Sequence, residues 1–99
     1  MPQLIASVEG VAVKRIYLTR DHTTLGRKAG NDIVLDNLAV SGNHCAFELR
    51  GLADVFVEDL GSTNGTLVNG VRPTTIMPLI PGCLLSIGDA IVLSYEVVA

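Results

Sequence analysis

The stretch Asp59-Leu-Gly-Ser-Thr-Asn-Gly-Thr-Leu-Val-Asn-Gly70 decides how this chain folds. It contains two Asn-Gly pairs, Asn64-Gly65 and Asn69-Gly70. An Asn-Gly pair predicts a type I′ turn, because both central residues of that turn need a positive φ. We therefore predict a turn, a very short strand and a second turn. The hydroxyl side chains before the first turn supply uncharged donors, so this loop can contact an anion or simply reverse the chain.

Short β-rich segments lie on both sides of this stretch, at the spacing expected of a sandwich or a barrel. No segment of helical length shows the apolar spacing of a helix. We expect the last strand to pair with the first. Weaker segments near Val40 and at Ile76–Met77 bring the predicted number to about eleven strands. The stronger segments are Leu4–Val8, Val13–Leu18, Thr23–Leu25, Ile33–Leu35, Cys45–Leu49, Val55–Glu58, Thr66–Val68, Leu84–Ile87 and Ala90–Val98.

Length and composition indicate a single domain over residues 1–99, with a core of its own. Hydrophobic residues make up 48% of the chain, which excludes a disordered protein. The net charge is −3, and the sequence contains no Trp. Nucleic-acid binding needs a basic face, and binding of single strands needs stacked aromatic rings. We therefore expect no nucleic-acid partner.

The sequence predicts a cytoplasmic protein without membrane insertion. The longest uncharged run, Pro73–Gly88, is interrupted by prolines and glycines and is too broken for a spanning helix. The first residues lack the basic and apolar regions of a secretory signal. We interpret Cys45 and Cys83 as reduced packing residues. These two cysteines and two scattered histidines predict no metal site, and we expect no cofactor.

Three loops carry polar groups that suit one anion. Arg27 follows Gly26 in the first loop, and Ser41 opens the second. Thr63 and Asn64 belong to the stretch described above. If the loops gather at one end of the fold, they offer a guanidinium fork, two hydroxyls and an amide. Such a set suits a tetrahedral dianion beside a peptide backbone, and a phosphorylated side chain carries about −1.5 to −2 charges at pH 7.

Four sequence elements together resemble the forkhead-associated (FHA) domain: Gly26-Arg27, Ser41-x-x-His44, the run Asp59–Gly70, and Gly88-Asp89 before the last strand. The resemblance implies an all-β fold, a roughly eleven-stranded FHA/SMAD-like β-sandwich of two mainly antiparallel sheets with the binding loops at one end. It also implies a signalling module that binds phosphothreonine in a partner protein. That partner would be a Thr-phosphorylated protein, either a substrate of a Ser/Thr kinase or the kinase itself.

The resemblance assigns roles to residues by their position. Arg27 and Ser41 match the family's phosphate-binding residues. Thr63 matches the threonine beside the phosphate, and Asn64 matches the asparagine that holds the ligand's backbone. His44 matches a residue that braces the loops from beneath. The remaining positions that support or turn the loops are Gly26, Gly65, Asn69 and Gly70.

Gly42 departs from the family's pattern. The residue after the pocket serine is commonly Arg, Lys or Asn in the family and adds a phosphate contact, which a glycine cannot make. Asn43 or Lys28 would have to compensate. We therefore expect a weak affinity that rises when Gly42 is replaced by Arg or Asn, with Asn the cleaner substitution. The same departure supports a second interpretation, an adaptor of this fold that binds proteins independently of phosphate.

Two other interpretations compete with phosphate binding. Arg27 can be a surface arginine paired with Asp32 or Asp36. A hydrolase would use Ser41 as its nucleophile and His44 as its base. The sequence has no Gly-x-Ser-x-Gly elbow and no Walker loop, and a three-residue spacing in a turn gives the two side chains no reason to meet. We therefore predict a protein that is not an enzyme.

Overall fold

The computed structural model describes residues 1–51 and 54–98, and this part of the chain forms ten β-strands. They make two five-stranded sheets that share one hydrophobic core. The predicted sandwich of two mainly antiparallel sheets is confirmed. The strands are β1 Pro2–Val8, β2 Val11–Tyr17, β3 His22–Gly26, β4 Ile33–Val34, β5 Cys45–Arg50, β6 Asp54–Asp59, β7 Leu67–Val68, β8 Met77–Pro78, β9 Leu84–Ile87 and β10 Ile91–Val97.

The number of strands is ten rather than about eleven, because the segment near Val40 forms a turn. The Val40 amide donates to the backbone oxygen of Asn37 at 2.9 Å. The Ala39 amide donates to the side-chain oxygen of Asn37, also at 2.9 Å. An asparagine that bonds the backbone two residues on curls the chain, so this segment cannot extend. The other weak segment does form a strand, β8.

The first and last strands pair along their whole length, as predicted. β1 and β10 are antiparallel, with Pro2 opposite Val97 and Val8 opposite Ile91. The first sheet has the order β2-β1-β10-β9-β7, and the second has the order β4-β3-β5-β6-β8. The β3–β4 pair is parallel. The two chain ends are therefore adjacent, and the amide of Val98 donates to the oxygen of Met1 at 3.0 Å.

The core contains the two cysteines. Both Cys45 and Cys83 are buried and form no disulfide among the described residues, and their predicted place in the core is confirmed. Burial raises the pKa of the Cys45 thiol to about 12, so the thiol stays protonated at neutral pH. Phe47 and Tyr95 are the largest fully buried side chains. Phe47 lies on β5 and Tyr95 on β10, so the core joins the two sheets.

The second Asn-Gly pair folds as predicted. The φ angle is 48° at Asn69 and 81° at Gly70, the left-handed values that a type I′ turn needs. Val68 and Val71 close the turn with reciprocal backbone hydrogen bonds of 2.8 and 2.9 Å. The side chain of Asn69 accepts a hydrogen bond from the amide of Leu84 at 2.9 Å and ties the turn to β9.

The first Asn-Gly pair folds differently, and its predicted type I′ turn is wrong. Gly65 has a φ of 79°, but Asn64 keeps an ordinary negative φ. The Asn64 side chain donates to the backbone oxygen of Ala39 at 2.9 Å, 25 residues away in sequence. A contact between loops thus decides the conformation here, and local sequence alone does not reveal it.

Candidate functional site

Three loops meet at one end of the sandwich. We call residues 27–32 the first loop, 35–44 the second and 60–66 the third. The Arg27 amide donates to the oxygen of Ser41 at 3.0 Å, and the Lys28 amide donates to the oxygen of Gly42 at 3.2 Å. The Thr63 amide donates to the Ser41 hydroxyl oxygen at 3.0 Å. These hydrogen bonds, two between backbone groups and one to the Ser41 side chain, bring together Arg27, Ser41 and Thr63, which lie in three separate segments of the sequence.

Gly26 allows the first and second loops to approach each other. A Cβ atom at this position would lie 2.1 Å from the backbone oxygen of Gly42 and 2.5 Å from the side-chain nitrogen of Asn31. No side chain fits such a contact, so a glycine is required immediately before Arg27. Gly26 therefore sets the distance between Arg27 and the loop that carries Ser41.

Asn31 is a residue of this site that the sequence analysis missed. Its side-chain nitrogen donates to the oxygen of Gly42 at 2.7 Å and to the oxygen of Lys28 at 3.0 Å. The Asn31 side chain thereby closes a turn within the first loop and links this loop to the second loop. An asparagine near Gly-Arg signals a turn, but its partner in the second loop becomes visible only in the fold.

His44 is fully buried and joins the second loop to the third. Its Nδ1 accepts a hydrogen bond from the Ser41 amide at 3.0 Å. Its Nε2 lies 3.0 Å from the oxygen of Gly65. Since a backbone amide only donates and a carbonyl oxygen only accepts, the ring is neutral and carries its proton on Nε2. Both ring nitrogens are occupied, which leaves neither to take a proton from the Ser41 hydroxyl.

Asp59 organises the third loop, and the sequence analysis assigned it no role. Its carboxylate accepts hydrogen bonds from the Ser62 hydroxyl at 2.5 Å and from the Thr66 hydroxyl at 2.9 Å. The amides of Gly61 and Ser62 add two bonds of 3.1 Å. Partial burial raises the pKa of Asp59, but these hydrogen bonds together lower it by more than burial raises it. The pKa of Asp59 therefore lies below its ordinary value. The carboxylate therefore stays ionised and holds the loop that presents Thr63.

The lowered pKa of Asp59 predicts a loss of stability in acid. The folded state favours the carboxylate, so this contribution is present above the ordinary pKa and is lost as the pH falls through the folded value. We expect the free energy of unfolding of Asp59→Asn to be lower than that of the parent at pH 7. The difference should shrink as the pH falls from about 5 to about 2. Denaturant unfolding at several pH values measures it, and a difference independent of pH would contradict the assignment.

Arg27 is exposed and has no carboxylate partner among residues 1–51 and 54–98. Asp32, one of the two partners proposed from the sequence, pairs with Arg20 instead. A backbone hydrogen bond from Thr24 and the Arg20 guanidinium lower the pKa of Asp32. The other proposed partner, Asp36, forms no ion pair in this part of the structure. The guanidinium of Arg27 is thus available to a ligand.

The remaining predicted site residues also lie at this end. Thr63, Asn64 and Asn43 are exposed. Asn43 makes no side-chain hydrogen bond within the described chain. Whether these side chains bind a ligand stays a prediction. Their placement brings them beside Arg27 and Ser41 on one surface.

Lys28 occupies the space that Gly42 leaves open. A Cβ atom at Gly42 would lie 2.9 Å from Cε of Lys28, and 3.2 Å from both its Cδ and its Cγ. The φ angle of Gly42 is not in the left-handed region, so the backbone accepts any side chain there. The absence of a side chain at Gly42 therefore leaves room for the Lys28 side chain to pass over it.

The described residues hold no group of three or more side chains suited to a metal ion. In residues 1–51 and 54–98 there is also no helix long and apolar enough to span a membrane.

The chain matches the family model of the FHA domain over residues 23–88. It is 32% identical over 90 residues to the FHA domain-containing protein FhaB of Mycolicibacterium smegmatis, covering 91% of this chain and 57% of FhaB. The chain thus spans little more than half the length of this curated relative. Other relatives are named as a glycogen accumulation regulator and as oxoglutarate dehydrogenase inhibitors.

Two solved structures show the same fold. The FHA domain of the CT664 protein from Chlamydia trachomatis has a TM-score of 0.89 and 22% identity, with 99% of this chain and 98% of that chain covered. EmbR of Mycobacterium tuberculosis, solved in complex with a low affinity phosphopeptide, has a TM-score of 0.79 and 28% identity. That match covers 96% of this chain and 25% of EmbR.

Proposed function

This chain belongs to the FHA-domain family, and we propose that it is a non-catalytic signalling module, spanning residues 1–99, that binds phosphothreonine-containing segments of a partner protein. The observation that carries the proposal is Arg27: its guanidinium forms no ion pair among residues 1–51 and 54–98, and a direct backbone hydrogen bond holds the residue next to Ser41. A phosphate group brings about two negative charges and three acceptor oxygens. A guanidinium fork with an adjacent hydroxyl complements such a group.

The proposed ligand is a protein segment rather than a free anion. EmbR, which shares this fold, was solved with a phosphopeptide, and we extend that mode of binding to this chain. Thr63 and Asn64 lie exposed beside Ser41 and would contact the segment on either side of its phosphate. The partner would be a substrate of a Ser/Thr kinase or the kinase itself, and we place the encounter in the cytoplasm.

The absence of catalysis is likewise a proposal, and the hydrogen bonds of His44 support it. Because Nδ1 accepts from the Ser41 amide and Nε2 donates to Gly65, the imidazole is engaged on both sides. A serine hydrolase needs a free ring nitrogen to take the proton of the serine hydroxyl.

A pull-down with a phosphothreonine peptide library, followed by calorimetry on a selected peptide, tests the proposed function. The peptide is used in phosphothreonine, phosphoserine and unphosphorylated forms. We expect the phosphothreonine form to bind tightest and the unphosphorylated form not to bind. Equal affinity for the first and last forms would favour the phosphate-independent adaptor that Gly42 suggested.

The position of Lys28 changes the outcome expected for Gly42. A side chain at residue 42 must displace the Lys28 stem. Gly42→Asn should therefore replace the phosphate contact of Lys28 with one from the new side chain, and the affinity for phosphopeptide should rise little. We expect Lys28→Met to weaken phosphopeptide binding about two- to fivefold, the range of a partly exposed ion pair. In that background Gly42→Arg should restore binding, whereas alone it should not strengthen it.

Calorimetry on the parent, both single variants and the double variant measures this coupling. If Gly42→Arg strengthens binding equally in both backgrounds, then Lys28 does not substitute for a side chain at residue 42. Thermal melts of all four proteins show whether each one folds.

A further inference from the structure

Arg72 lies beside the third loop and is not among the predicted site residues. It follows the Asn69-Gly70 turn, which Val68 and Val71 close with reciprocal hydrogen bonds. The turn is also tied to β9 through the Asn69 side chain. These bonds hold the backbone just before Arg72, so the point from which its side chain starts is fixed.

The Arg72 guanidinium covers Gly65. Its Cζ, Nε and Nη1 atoms lie 3.1, 3.2 and 3.4 Å from the position that a Cβ of Gly65 would take. Since these distances differ by so little, the guanidinium plane faces Gly65, and its N–H groups point sideways along the surface. Gly65 directly follows Asn64, the residue proposed to hold the ligand's backbone.

This guanidinium has no anionic partner among residues 1–51 and 54–98. The two ion pairs within residues 1–51 and 54–98 are Arg20–Asp32 and Arg50–Glu48, and Arg72 donates no side-chain hydrogen bond there. It also lines a shallow groove of about 350 Å³ formed by residues 71–78, so a segment that continues past Asn64 has a path beside it. The Arg72 guanidinium lies flat over Gly65 and has no acceptor for its N–H groups there. A guanidinium in this state can bind a carboxylate through two parallel hydrogen bonds.

We propose that Arg72 selects phosphothreonine segments that carry an Asp or Glu close to the phosphothreonine. The inference rests on the proposed function, and it names the chemistry of the flanking sequence that this chain accepts. Arg27 and Lys28 face the phosphate in this arrangement, while Arg72 reads a second negative charge on the other side of Asn64.

The test uses phosphothreonine peptides in which each flanking position in turn is Asp or Lys, each with an unphosphorylated twin. Binding is measured for the parent, Arg72→Glu and the matched control Arg15→Glu, which makes the same charge change on the edge strand β2. We expect the parent to prefer Asp over Lys about fivefold at one flanking position. Arg72→Glu should reverse that preference and keep its dependence on phosphate, and Arg15→Glu should behave as the parent.

Three outcomes would overturn the inference. An unchanged Asp preference in Arg72→Glu would show that another residue reads the flanking charge. Equal weakening of all phosphopeptides would make Arg72 a phosphate contact instead. If the parent binds phosphorylated and unphosphorylated twins equally, the proposed function fails first, and this result differs from the other two. Thermal melts matched to the parent establish that each variant is folded.

Discussion

Arg27→Ala should remove measurable binding of a phosphothreonine peptide while the domain stays folded. Arg27 is exposed and forms no ion pair among the described residues, so its removal breaks nothing inside the protein. Truncating one partner of a desolvated charge pair costs about 2–5 kcal/mol, which corresponds to a loss of roughly 30-fold to several thousand-fold in affinity. Titration calorimetry with a phosphorylated peptide and its unphosphorylated twin measures the change.

Arg15→Ala is the matched control, because it removes the same charge from β2. It should bind as the parent does and melt at the same temperature. An Arg27→Ala protein that retains its affinity would refute the proposed phosphate site, and a parent that binds both peptides equally would refute the dependence on phosphorylation. A loss of affinity in Arg15→Ala of the same size would mean that only the net charge matters.

His44→Ala should lower the melting temperature by roughly 10–25 °C. The substitution leaves the Ser41 amide and the Gly65 oxygen without partners inside a fully buried site. Each unsatisfied buried group costs about 1–3 kcal/mol, so the two together should lower the free energy of unfolding by at least about 2 kcal/mol. In a domain of this size each kcal/mol corresponds to about 4–8 °C. Thermal unfolding followed by circular dichroism gives the value.

Phosphopeptide binding by His44→Ala should weaken as a consequence, because the second and third loops lose their shared anchor. His44→Asn keeps one acceptor oxygen for the Ser41 amide and should lie between alanine and the parent. The exposed histidine of β3, His22, provides the control, and His22→Ala should melt as the parent does. An unchanged melt of His44→Ala combined with lost binding would place His44 in direct contact with the ligand.

The sequence predicted what depends on local patterns. The alternating apolar residues of the predicted segment Cys45–Leu49 and the Asn69-Gly70 pair correspond to a strand and a turn that the structure contains. Period-two alternation and positive φ are properties of a few neighbouring residues, so a short window is enough to detect them. The combination of short motifs then indicated the family, because each motif marks one of the loops.

The sequence did not predict contacts between loops. Asn31 reaches Gly42, and Asn64 reaches Ala39, over separations of 11 and 25 residues. Each of these asparagines has a local alternative as a turn residue, and nothing nearby in sequence distinguishes the two roles. Arg72 illustrates the same point, since its position over Gly65 depends on how the hairpin after Val68 is closed.

The full-length pairing of β1 and β10 has a consequence for how the domain can be displayed. Both chain ends leave from the same point, and β10 runs about 23 Å back from that point to its start just after the turn at Gly88, which packs against Ala39 in the second loop. A tag, surface or flexible tether joined to either end is therefore held at the opposite pole from the loops. An immobilised domain would present Arg27 and its neighbours outward whichever end is anchored.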